Sequence, residues 1–201
     1  RIAFASDFHA GPTLHRDLLD RVLAALADAR ADVVLLGGDF VSFHARYVDR
    51  MIEPLRRLQP PFGKYGVLGN HDLLGDDEYI AARLADAGVT VLVNANVRLR
   101  PPHDDIWICG FDDWDEGSPD ADRAFEGATG TRIALAHQPD ALLAIGERPF
   151  HLAFFGHVHG GVFHAGVNDA PVLVTRGVGT STLPARRHAD PQVHICTLVA
   201  T

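Results

Sequence analysis

Basic residues are scarce in this 201-residue chain, where 18 Lys and Arg stand against 26 Asp and Glu and give a formal net charge of -8. Proteins that hold nucleic acid through its phosphates need clustered Lys and Arg, so the composition argues against a nucleic-acid groove. Long apolar runs are missing too, and none approaches the roughly 18 residues that a membrane-spanning helix requires. The apolar residues, 47% of the chain, are therefore expected to fill the core of a globular protein.

Cysteine is rare as well. Cys109 and Cys196 each lie in an apolar, strand-like run. We predict that both are buried, unpaired thiols rather than a disulfide or a thiolate metal site. The length favours a single domain over residues 1–201, and the sequence shows no linker, repeat or low-complexity segment. The chain starts at Arg1 directly in strand-like sequence, which leaves open whether a signal or anchor preceded it and whether the protein is cytoplasmic, exported or membrane-associated.

Apolar periodicity alternates between short strands and helices through the first half of the chain. Leucines and valines at helical spacing predict a helix over residues 13–30 with Thr13 as its N-cap, and two further helices over 47–58 and 77–87. Gly88 would end the third of these. Short helices are expected over 120–125 and 140–145, and strands over 1–5, 32–36, 65–68, 89–99, 105–111, 131–136, 152–155, 171–175 and 192–198. This alternation is typical of the α/β class.

Potential metal ligands follow five of the predicted strands. They are Asp7 and His9, then Asp39, Asn70 with His71, His137, and finally His157 with His159. Because parallel strands end at one edge of a sheet, we expect these side chains to gather in one crevice. Imidazole nitrogens and hard oxygens without thiolates suit Mn, Fe or Zn in a catalytic site more than a structural zinc site. The set is large enough for two ions about 3.5 to 4 Å apart with one bridging carboxylate.

Each of these residues alone has an ordinary structural interpretation. A single Asp7 or Asp39 at a strand end is most often a helix cap or turn residue, and a His-x-His pair is often a polar turn. The whole ordered set favours metal binding, because every position would otherwise have to mimic the pattern by chance. Seven other histidines match no motif and are predicted to lie on the surface or in the core: His15, His44, His103, His151, His164, His188 and His194.

The ordered series resembles the calcineurin-like metallophosphoesterase superfamily. Its blocks are Asp7-x-His9, Gly38-Asp39, Gly69-Asn70-His71-Asp72, His137 and Gly156-His157-x-His159, which together span residues 6–161. A second likeness, to the bacterial branch of membrane- or wall-associated phosphodiesterases, is carried by Gly160-Gly161, residues 176–181 and Pro184-x-Arg186. The fold that the resemblance implies is an α/β (α+β) four-layer αββα sandwich of two mixed sheets flanked by helices.

The resemblance also implies how the ligands divide. The first metal ion would be held by Asp7, His9, Asp39 and His159, and the second by the bridging Asp39 with Asn70, His137 and His157. Mn is the expected metal, with Fe and Zn as alternatives. A hydroxide between the ions would attack phosphorus in line. His71 would not be a ligand but would assist the leaving oxygen, and Asp72 would fix the orientation of its ring.

Several residues near the motif carry weaker expectations. Phe40-Val41-Ser42 departs from many relatives, which have a further acidic residue there, and this leaves the ligands untouched but changes the residues that support them. Arg176 and Arg186 offer guanidinium groups that can clamp a phosphate, although exposed arginines are usually just solvated. Asp112 and Asp113 are expected to cap a loop rather than shape the pocket, and Trp114 to be a buried anchor rather than part of a substrate groove.

The residues and the resemblance together favour a dinuclear metal-dependent phosphoesterase that acts on phosphodiesters. One alternative is a pyrophosphohydrolase for nucleotide-linked lipids of the UDP-diacylglucosamine type, which the absence of an apolar lid helix disfavours. Another is a metal-free scaffold, which is disfavoured because such proteins lose ligands and this chain has lost none. We expect a monomer whose partner is a phosphate-ester substrate, and peripheral membrane or cell-wall association through a missing N-terminal segment stays open.

Overall fold

The computed structural model describes residues 1–159, 161–167, 170–180 and 190–199. Its strands are β1 (Ile2–Ala5), β2 (Val33–Leu36), β3 (Lys64–Gly66), β4 (Val89–Val91), β5 (Ala95–Arg98), β6 (Ile106–Gly110), β7 (Thr131–Leu135), β8 (Leu152–Phe155), β9 (Gly161–Val167), β10 (Ala170–Val174) and β11 (His194–Cys196). Its α-helices are α1 (Arg16–Asp28), α2 (Asp49–Arg57), α3 (Asn70–Leu73), α4 (Asp77–Asp86), α5 (Ala121–Ala124) and α6 (Ala141–Ile145), and a 3-10 helix spans Ala45–Val48.

The strands form two mixed sheets. The first has the order β11-β1-β2-β3-β4, in which β1 to β4 are parallel and β11 is antiparallel to β1. The second has the order β5-β6-β7-β8-β10-β9, in which β6, β7, β8 and β10 are parallel and the two outer strands are antiparallel. Neighbouring parallel strands run in the same direction, so within each sheet their carboxyl ends lie at one edge.

Alternating side chains of each strand face two different layers of the core. In β1 and β2, Phe4 and Leu35 pack between the sheets in a cluster that includes Phe154 of β8. Their neighbours Ala3 and Leu36 instead join a cluster with residues of α1, α2 and α4. A third cluster lies between the second sheet and helices α5 and α6. Three apolar layers separate two sheets and two sets of helices, which confirms the predicted αββα sandwich.

The predicted strand over residues 89–99 is wrong, because the chain turns within it. β4 lies at the edge of the first sheet and β5 at the edge of the second, so this short stretch crosses from one sheet to the other. Asn94 stands at the crossing with a φ of 47°, a left-handed conformation that Asn tolerates better than most residues. Its side-chain oxygen accepts hydrogen bonds from the amides of Asp112 and Asp120. The apolar residues of this stretch predict one continuous strand. The contacts of Asn94 could not be predicted from them, because these contacts join segments that are distant in the sequence.

Two further local predictions differ from the structure. α1 begins at Arg16 after His15, and Thr13 instead donates a hydrogen bond from its hydroxyl to the carbonyl of Thr180 at 3.1 Å. Gly161 is the first residue of β9, a strand that the apolar pattern does not predict, and pairs with Val174. Gly160 itself lies outside the described residues. The other predicted strands and helices fall within a few residues of their predicted bounds, whereas the short helix α3 was not predicted. Gly88 follows α4 with a φ of 76°, as expected for a C-terminal glycine.

Both thiols are free, as predicted. Cys109 is fully buried, and burial raises the pKa of its thiol to about 12, which keeps it protonated and unreactive. Cys196 is only partly buried. The prediction for Trp114 is wrong, since 37% of this residue is exposed. Within the parts of the chain that the structure describes, no helix has the length and apolar character needed to cross a membrane.

Candidate metal centre

The five predicted ligand segments meet at the carboxyl edge of the two sheets. Asp7 and His9 follow β1, Asp39 follows β2, and Asn70 begins α3 shortly after β3, so the first sheet supplies three segments. In the second sheet His137 follows β7, and His157 and His159 follow β8. The site therefore spans the edge where the two sheets face each other, and neither sheet holds all of it.

Three overlapping groups of side chains have ligand atoms close enough to share an ion. Within each group the ligand atoms lie within 4.8 Å of one another. The groups are Asp7 with His9 and His159, His9 with Asp39 and His71, and Asp39 with His137 and His157. The first group holds three of the four ligands expected for the first ion, the third group holds three of the four expected for the second, and Asp39 belongs to the second and third groups. The second group adds His71, which the sequence pattern had placed beside the ions rather than on them.

The carboxylate of Asp39 lies between two imidazoles. Its Oδ2 atom is 3.4 Å from Nε2 of His9 and 3.3 Å from Nε2 of His137. Its other oxygen, Oδ1, accepts a hydrogen bond of 3.0 Å from the backbone amide of His71. One oxygen is thus held by the backbone while the other faces both imidazoles, which is the arrangement that a bridging carboxylate needs.

The two oxygens of Asp7 are used differently from those of Asp39. Its Oδ1 accepts a hydrogen bond of 2.9 Å from the amide of His157 and lies 3.5 Å from Nε2 of His159. Its Oδ2 is buried without a hydrogen-bond partner among the described residues, as are Oδ1 of Asn70 and Nε2 of His137. Buried polar atoms are normally satisfied, so three orphaned ligand atoms at one site fit a bound metal ion. The donor set of nitrogens and hard oxygens fits a transition metal without thiolate ligands.

Two of the imidazoles are oriented by a second hydrogen bond at Nδ1. Nδ1 of His137 lies 2.8 Å from the carbonyl oxygen of Gly37, and Nδ1 of His9 lies 3.0 Å from Oγ of Ser42. A carbonyl can only accept, so Nδ1 of His137 carries the proton, and its Nε2 keeps a lone pair when the ring is neutral. Such a partner fixes the tautomer and the ring orientation of a metal-binding histidine. Ser42 lies in the segment that departs from many relatives, and this is the support that the sequence pattern could not identify.

Ser42→Ala is expected to weaken metal binding without removing a ligand. The hydroxyl that positions His9 is lost, and loss of such a supporting group typically lowers metal affinity about 10- to 100-fold. Titration of the metal-free protein with Mn, followed by equilibrium dialysis, measures the change. Ser118→Ala, in a loop beyond β6, is the matched control and should bind Mn as wild type does. Equal affinities for the Ser42 and Ser118 variants would show that this contact does not support the site.

Five of the predicted ligands have a left-handed backbone. They are Asp7 (φ 56°), His9 (48°), Asp39 (51°), His157 (64°) and His159 (51°). Residues other than glycine rarely adopt this conformation, which costs on the order of 1 to 3 kcal/mol each. Strain of this kind persists only where the surrounding structure enforces it. Because the strained residues are ligands, we infer that the strained backbone of these turns directs the ligand side chains into the crevice.

Two glycines let the chain approach the carboxylates closely. A Cβ on Gly69 would collide with Oδ1 of Asp39 and would lie 2.8 Å from Cδ2 of His137. Gly177 has a φ of 70°, and a Cβ there would lie 2.7 Å from Cβ of Asp7. The next residue along, Val178, donates from its backbone amide to the carbonyl of Ser6 at 3.1 Å. The Gly177 segment, noted in the sequence only as a likeness to one branch, therefore packs directly against Asp7.

Burial and charge act in opposite directions on the titrating groups. Burial lowers the pKa of His9 to about 4, although the carboxylates of Asp39 and Asp7 oppose this effect. Burial alone would raise the pKa of Asp39, but the nearby charge of His137 outweighs it and lowers the pKa to about 2. Burial likewise disfavours the charged form of His137, yet Asp39 raises its pKa to about 10. In the metal-free protein a proton on His137 thus balances the buried carboxylate, and metal binding must displace that proton.

Asp72 has a different role from the predicted one. Its fully buried carboxyl group accepts hydrogen bonds from the backbone amides of Phe40, Val41 and Gly69, at 2.9, 3.2 and 3.0 Å. It therefore ties the loop that contains Asp39, after β2, to the loop that precedes Asn70, at the start of α3. It does not orient the ring of His71. Burial, followed by the nearby charge of Asp39, raises the pKa of Asp72 to about 7.

His71 lies at the accessible mouth of the site. Its ring is perpendicular to that of His9, with 4.9 Å between the ring centroids. His71, Asn70, His157 and His159 are partly exposed, whereas Asp7, His9, Asp39 and His137 are buried. The centre thus has a buried base and an open side on which a substrate can reach it.

The remaining residues that were predicted near the site lie in three places: in a loop, at the edge of the second sheet, and outside the described residues. Asp112 and Asp113 cap their loop as expected, since Asp112 accepts from the amide of Ser118 and Asp113 from that of Glu116. Arg176 lies two residues beyond β10 at the same edge as the centre, and its backbone amide donates to Gln192. Arg186 lies outside the described residues. A phosphate-binding role for either arginine stays a prediction.

Among the seven other histidines, none of those whose side chains the structure describes belongs to the three ligand groups. His15, His44, His103 and His151 are exposed, and His194 is partly buried with its Nε2 3.1 Å from the hydroxyl of Thr175. The side chains of His164 and His188 lie outside the described residues. The exposed four agree with the predicted surface positions.

Comparison with solved structures shows a shared fold. A candidate 5′-nucleotidase from Staphylococcus aureus aligns with a TM-score of 0.54 at 14% identity, over 88% of this chain and 49% of that protein. An NAD nucleotidase from Haemophilus influenzae aligns with a TM-score of 0.51 at 14% identity, over 87% of this chain and 41% of that protein. At such identities the likeness concerns the fold alone.

Sequence relatives are more similar. A zebrafish transmembrane protein with a metallophosphoesterase domain is 34% identical over 80% of this chain, which spans only 40% of that protein's length. The Bacillus subtilis metallophosphoesterase YkuE is 29% identical over 100% of this chain and 79% of its own length, and the Escherichia coli phosphodiesterase YaeI is 29% identical over 99% and 82%. The family profile described as calcineurin-like phosphoesterase matches residues 1–161. The chain therefore belongs to the calcineurin-like phosphoesterase family.

Proposed function

We propose that this protein is a dinuclear metal-dependent phosphoesterase that hydrolyses phosphodiesters. The observation that carries the proposal is the shared carboxylate of Asp39, whose Oδ2 lies 3.4 Å from His9 and 3.3 Å from His137, each a member of a separate ligand group. Two groups joined by one carboxylate suit a pair of ions rather than one. The preference for diesters rests on the relative from Escherichia coli that is named a phosphodiesterase.

Two ions at this site would supply Lewis acidity for the phosphoryl oxygens and a nucleophilic hydroxide at neutral pH. Asp7, His9, Asp39 and His159 would hold the first, and Asp39, Asn70, His137 and His157 the second. Mn is the metal we propose, with Fe and Zn as alternatives for the same donor set.

The protein's own residues would position the ester and manage the proton of the leaving group. His71 lies at the open side of the centre, beside His9, where a ring N–H can reach an ester oxygen. Its imidazolium form would donate a proton to the departing alkoxide, or stabilise its charge, as a general acid. The buried base formed by Asp7, His9, Asp39 and His137 keeps bulk water from the rear of the site, which strengthens the electrostatic interactions there.

Hydrolysis of bis-p-nitrophenyl phosphate tests the proposal. Mn-loaded protein is expected to release p-nitrophenol, and chelation of the metal should reduce the rate to background until Mn is restored. p-Nitrophenyl phosphate and a UDP-linked lipid, assayed in parallel, separate diesterase from monoesterase and pyrophosphohydrolase activity. Elemental analysis of unchelated protein accompanies the assay. Protein that carries no transition metal and hydrolyses none of the three would instead support the non-catalytic scaffold.

A further inference from the structure

Four large apolar side chains stand exposed on segments that carry the metal centre. They are Phe43, Leu74, Val158 and Trp114, with exposed fractions of 68%, 67%, 52% and 37%. We refer to these four as the apolar rim. Single exposed apolar residues are common on protein surfaces and need no explanation. Here, however, Phe43, Leu74 and Val158 lie within four residues of a ligand or of His71, and the loop of Trp114 is hydrogen-bonded to Gln138, which follows the ligand His137.

Two rim residues belong to the turns that carry the ligands. Val158 lies between His157 and His159, and both flanking residues have a left-handed backbone that directs their rings to the centre. Leu74 directly follows α3, the helix that begins with Asn70 and His71. Neither side chain is needed to fill the core, since each is more than half exposed.

Phe43 is the least expected of the four. It follows Ser42, which contacts His9, and its φ of 68° is left-handed. A bulky aromatic residue in that conformation is strained, and a mostly exposed ring obtains little compensation from packing. A functional contact outside the chain would explain why a large side chain is held in this position.

Trp114 is connected to the opposite side of the centre. It follows Asp113, which is buried. The same loop is tied to the chain after His137 by a hydrogen bond of 2.8 Å from Nε2 of Gln138 to Oδ2 of Asp115. The rim therefore has members on the segments of both sheets, beside both ligand groups.

We propose that the apolar rim binds an apolar substituent of the substrate, so that the enzyme favours phosphodiesters with alkyl or aryl groups over those with small or polar ones. This inference rests on the proposed phosphoesterase function. The centre can hold the anionic phosphate, while Phe43, which follows Ser42, and Leu74, which follows α3, offer apolar surface and no charge to the attached group. Burying that group against them removes apolar area from water on both partners.

A series of alkyl p-nitrophenyl phosphates, from methyl to octyl, measures this preference at a constant leaving group. Concentrations are kept below those at which the octyl ester forms micelles. A fully buried methylene is worth about fourfold in binding, so even partial burial should raise kcat/KM at least about tenfold from methyl to octyl. We define the ratio of these two values as the chain-length ratio.

Phe43→Asn combined with Leu74→Ser should reduce the chain-length ratio at least about fivefold, because apolar contact area is lost. Asn tolerates the left-handed backbone at position 43, so the turn beside Ser42 is kept. Leu198→Ser is the matched control: Leu198 is 40% exposed but lies with Ile2 and Ile106 at the other end of the sandwich. This variant should keep the wild-type ratio.

The outcomes separate the two proposals. A wild-type enzyme that hydrolyses all the esters with a flat chain-length ratio overturns the apolar rim and leaves the phosphoesterase intact. A steep ratio that survives in the Phe43 and Leu74 double variant also overturns it. Failure to hydrolyse any ester after Mn loading counts against the phosphoesterase itself.

Discussion

Asp39→Asn is expected to abolish metal-dependent hydrolysis while leaving the fold in place. The substitution removes the negative charge that the second and third ligand groups share, and His9 and His137 then face a neutral amide. Removing a group that only supports a ligand costs up to about 100-fold in metal affinity, so loss of the shared ligand should exceed that. The fold should persist because the amide oxygen can still accept the hydrogen bond from the amide of His71.

Three measurements check this expectation. Elemental analysis after Mn loading reports the metal content, and the rate with bis-p-nitrophenyl phosphate should equal that of chelated wild-type protein. Mn at 100 times its dissociation constant should stabilise the wild type by about 2.7 kcal/mol, and the corresponding rise in Tm should be absent in the variant.

Asp32→Asn is the matched control for Asp39→Asn. Asp32 precedes the opposite end of the same strand, β2, and is partly exposed. The same chemical change there should leave metal content and activity as in the wild type. An Asp39→Asn protein that retained both metal and activity would show that this carboxylate does not join the two ions.

The architecture and the members of the centre could be predicted because both leave local traces in the sequence. A short apolar run followed by a polar residue indicates a buried strand and its carboxyl end, whatever the rest of the chain does. Once the strands are parallel, Asp7 and Asp39 must lie at one edge of their sheet. The resemblance then supplied the layers, since apolar periodicity alone does not decide whether strands join one sheet or two.

The supporting contacts could not be predicted, because they join segments that are distant in sequence. Asp72 lies beside His71 in the chain, which suggested that it orients that ring, yet its carboxyl group binds amides of Phe40 and Val41, 32 and 31 residues away. The carbonyl of Gly37 that fixes His137 is 100 residues from it. The left-handed backbone of the ligands gives no signal either, since Asp and His are not residue types that mark this conformation as glycine does.

Exposure was the other property that composition could not determine. Trp114 was expected to be buried because large aromatic residues usually are. It is partly exposed because its loop is anchored instead by carboxylates, with Asp112 and Asp113 accepting hydrogen bonds from amides of the loop itself. A loop that is held by polar caps does not need its aromatic residue for packing, which leaves that residue available to the surface beside the centre.

His71→Gln is expected to lower kcat by about 10²- to 10⁴-fold, the usual contribution of a general acid, while metal content stays at the wild-type level. The geometry permits a competing role, since the ring of His71 forms a ligand group with His9 and Asp39. Only its backbone amide holds Asp39, and the substitution keeps that contact. The two roles of the ring therefore make different predictions about metal binding.

Dependence on the leaving group identifies the general acid. A departing p-nitrophenolate is stable without a proton, whereas a departing alkoxide needs one, so the loss in kcat should be larger for a dialkyl ester than for bis-p-nitrophenyl phosphate. His103→Gln is the matched control, because His103 is exposed and its ring packs on Phe62, with 4.8 Å between ring centroids. A His71→Gln protein that loses metal, with equal losses for both esters, would make His71 a ligand instead. If the variant instead keeps the wild-type metal content, and its loss in kcat grows as the leaving group becomes more basic, His71 is the residue that transfers the proton.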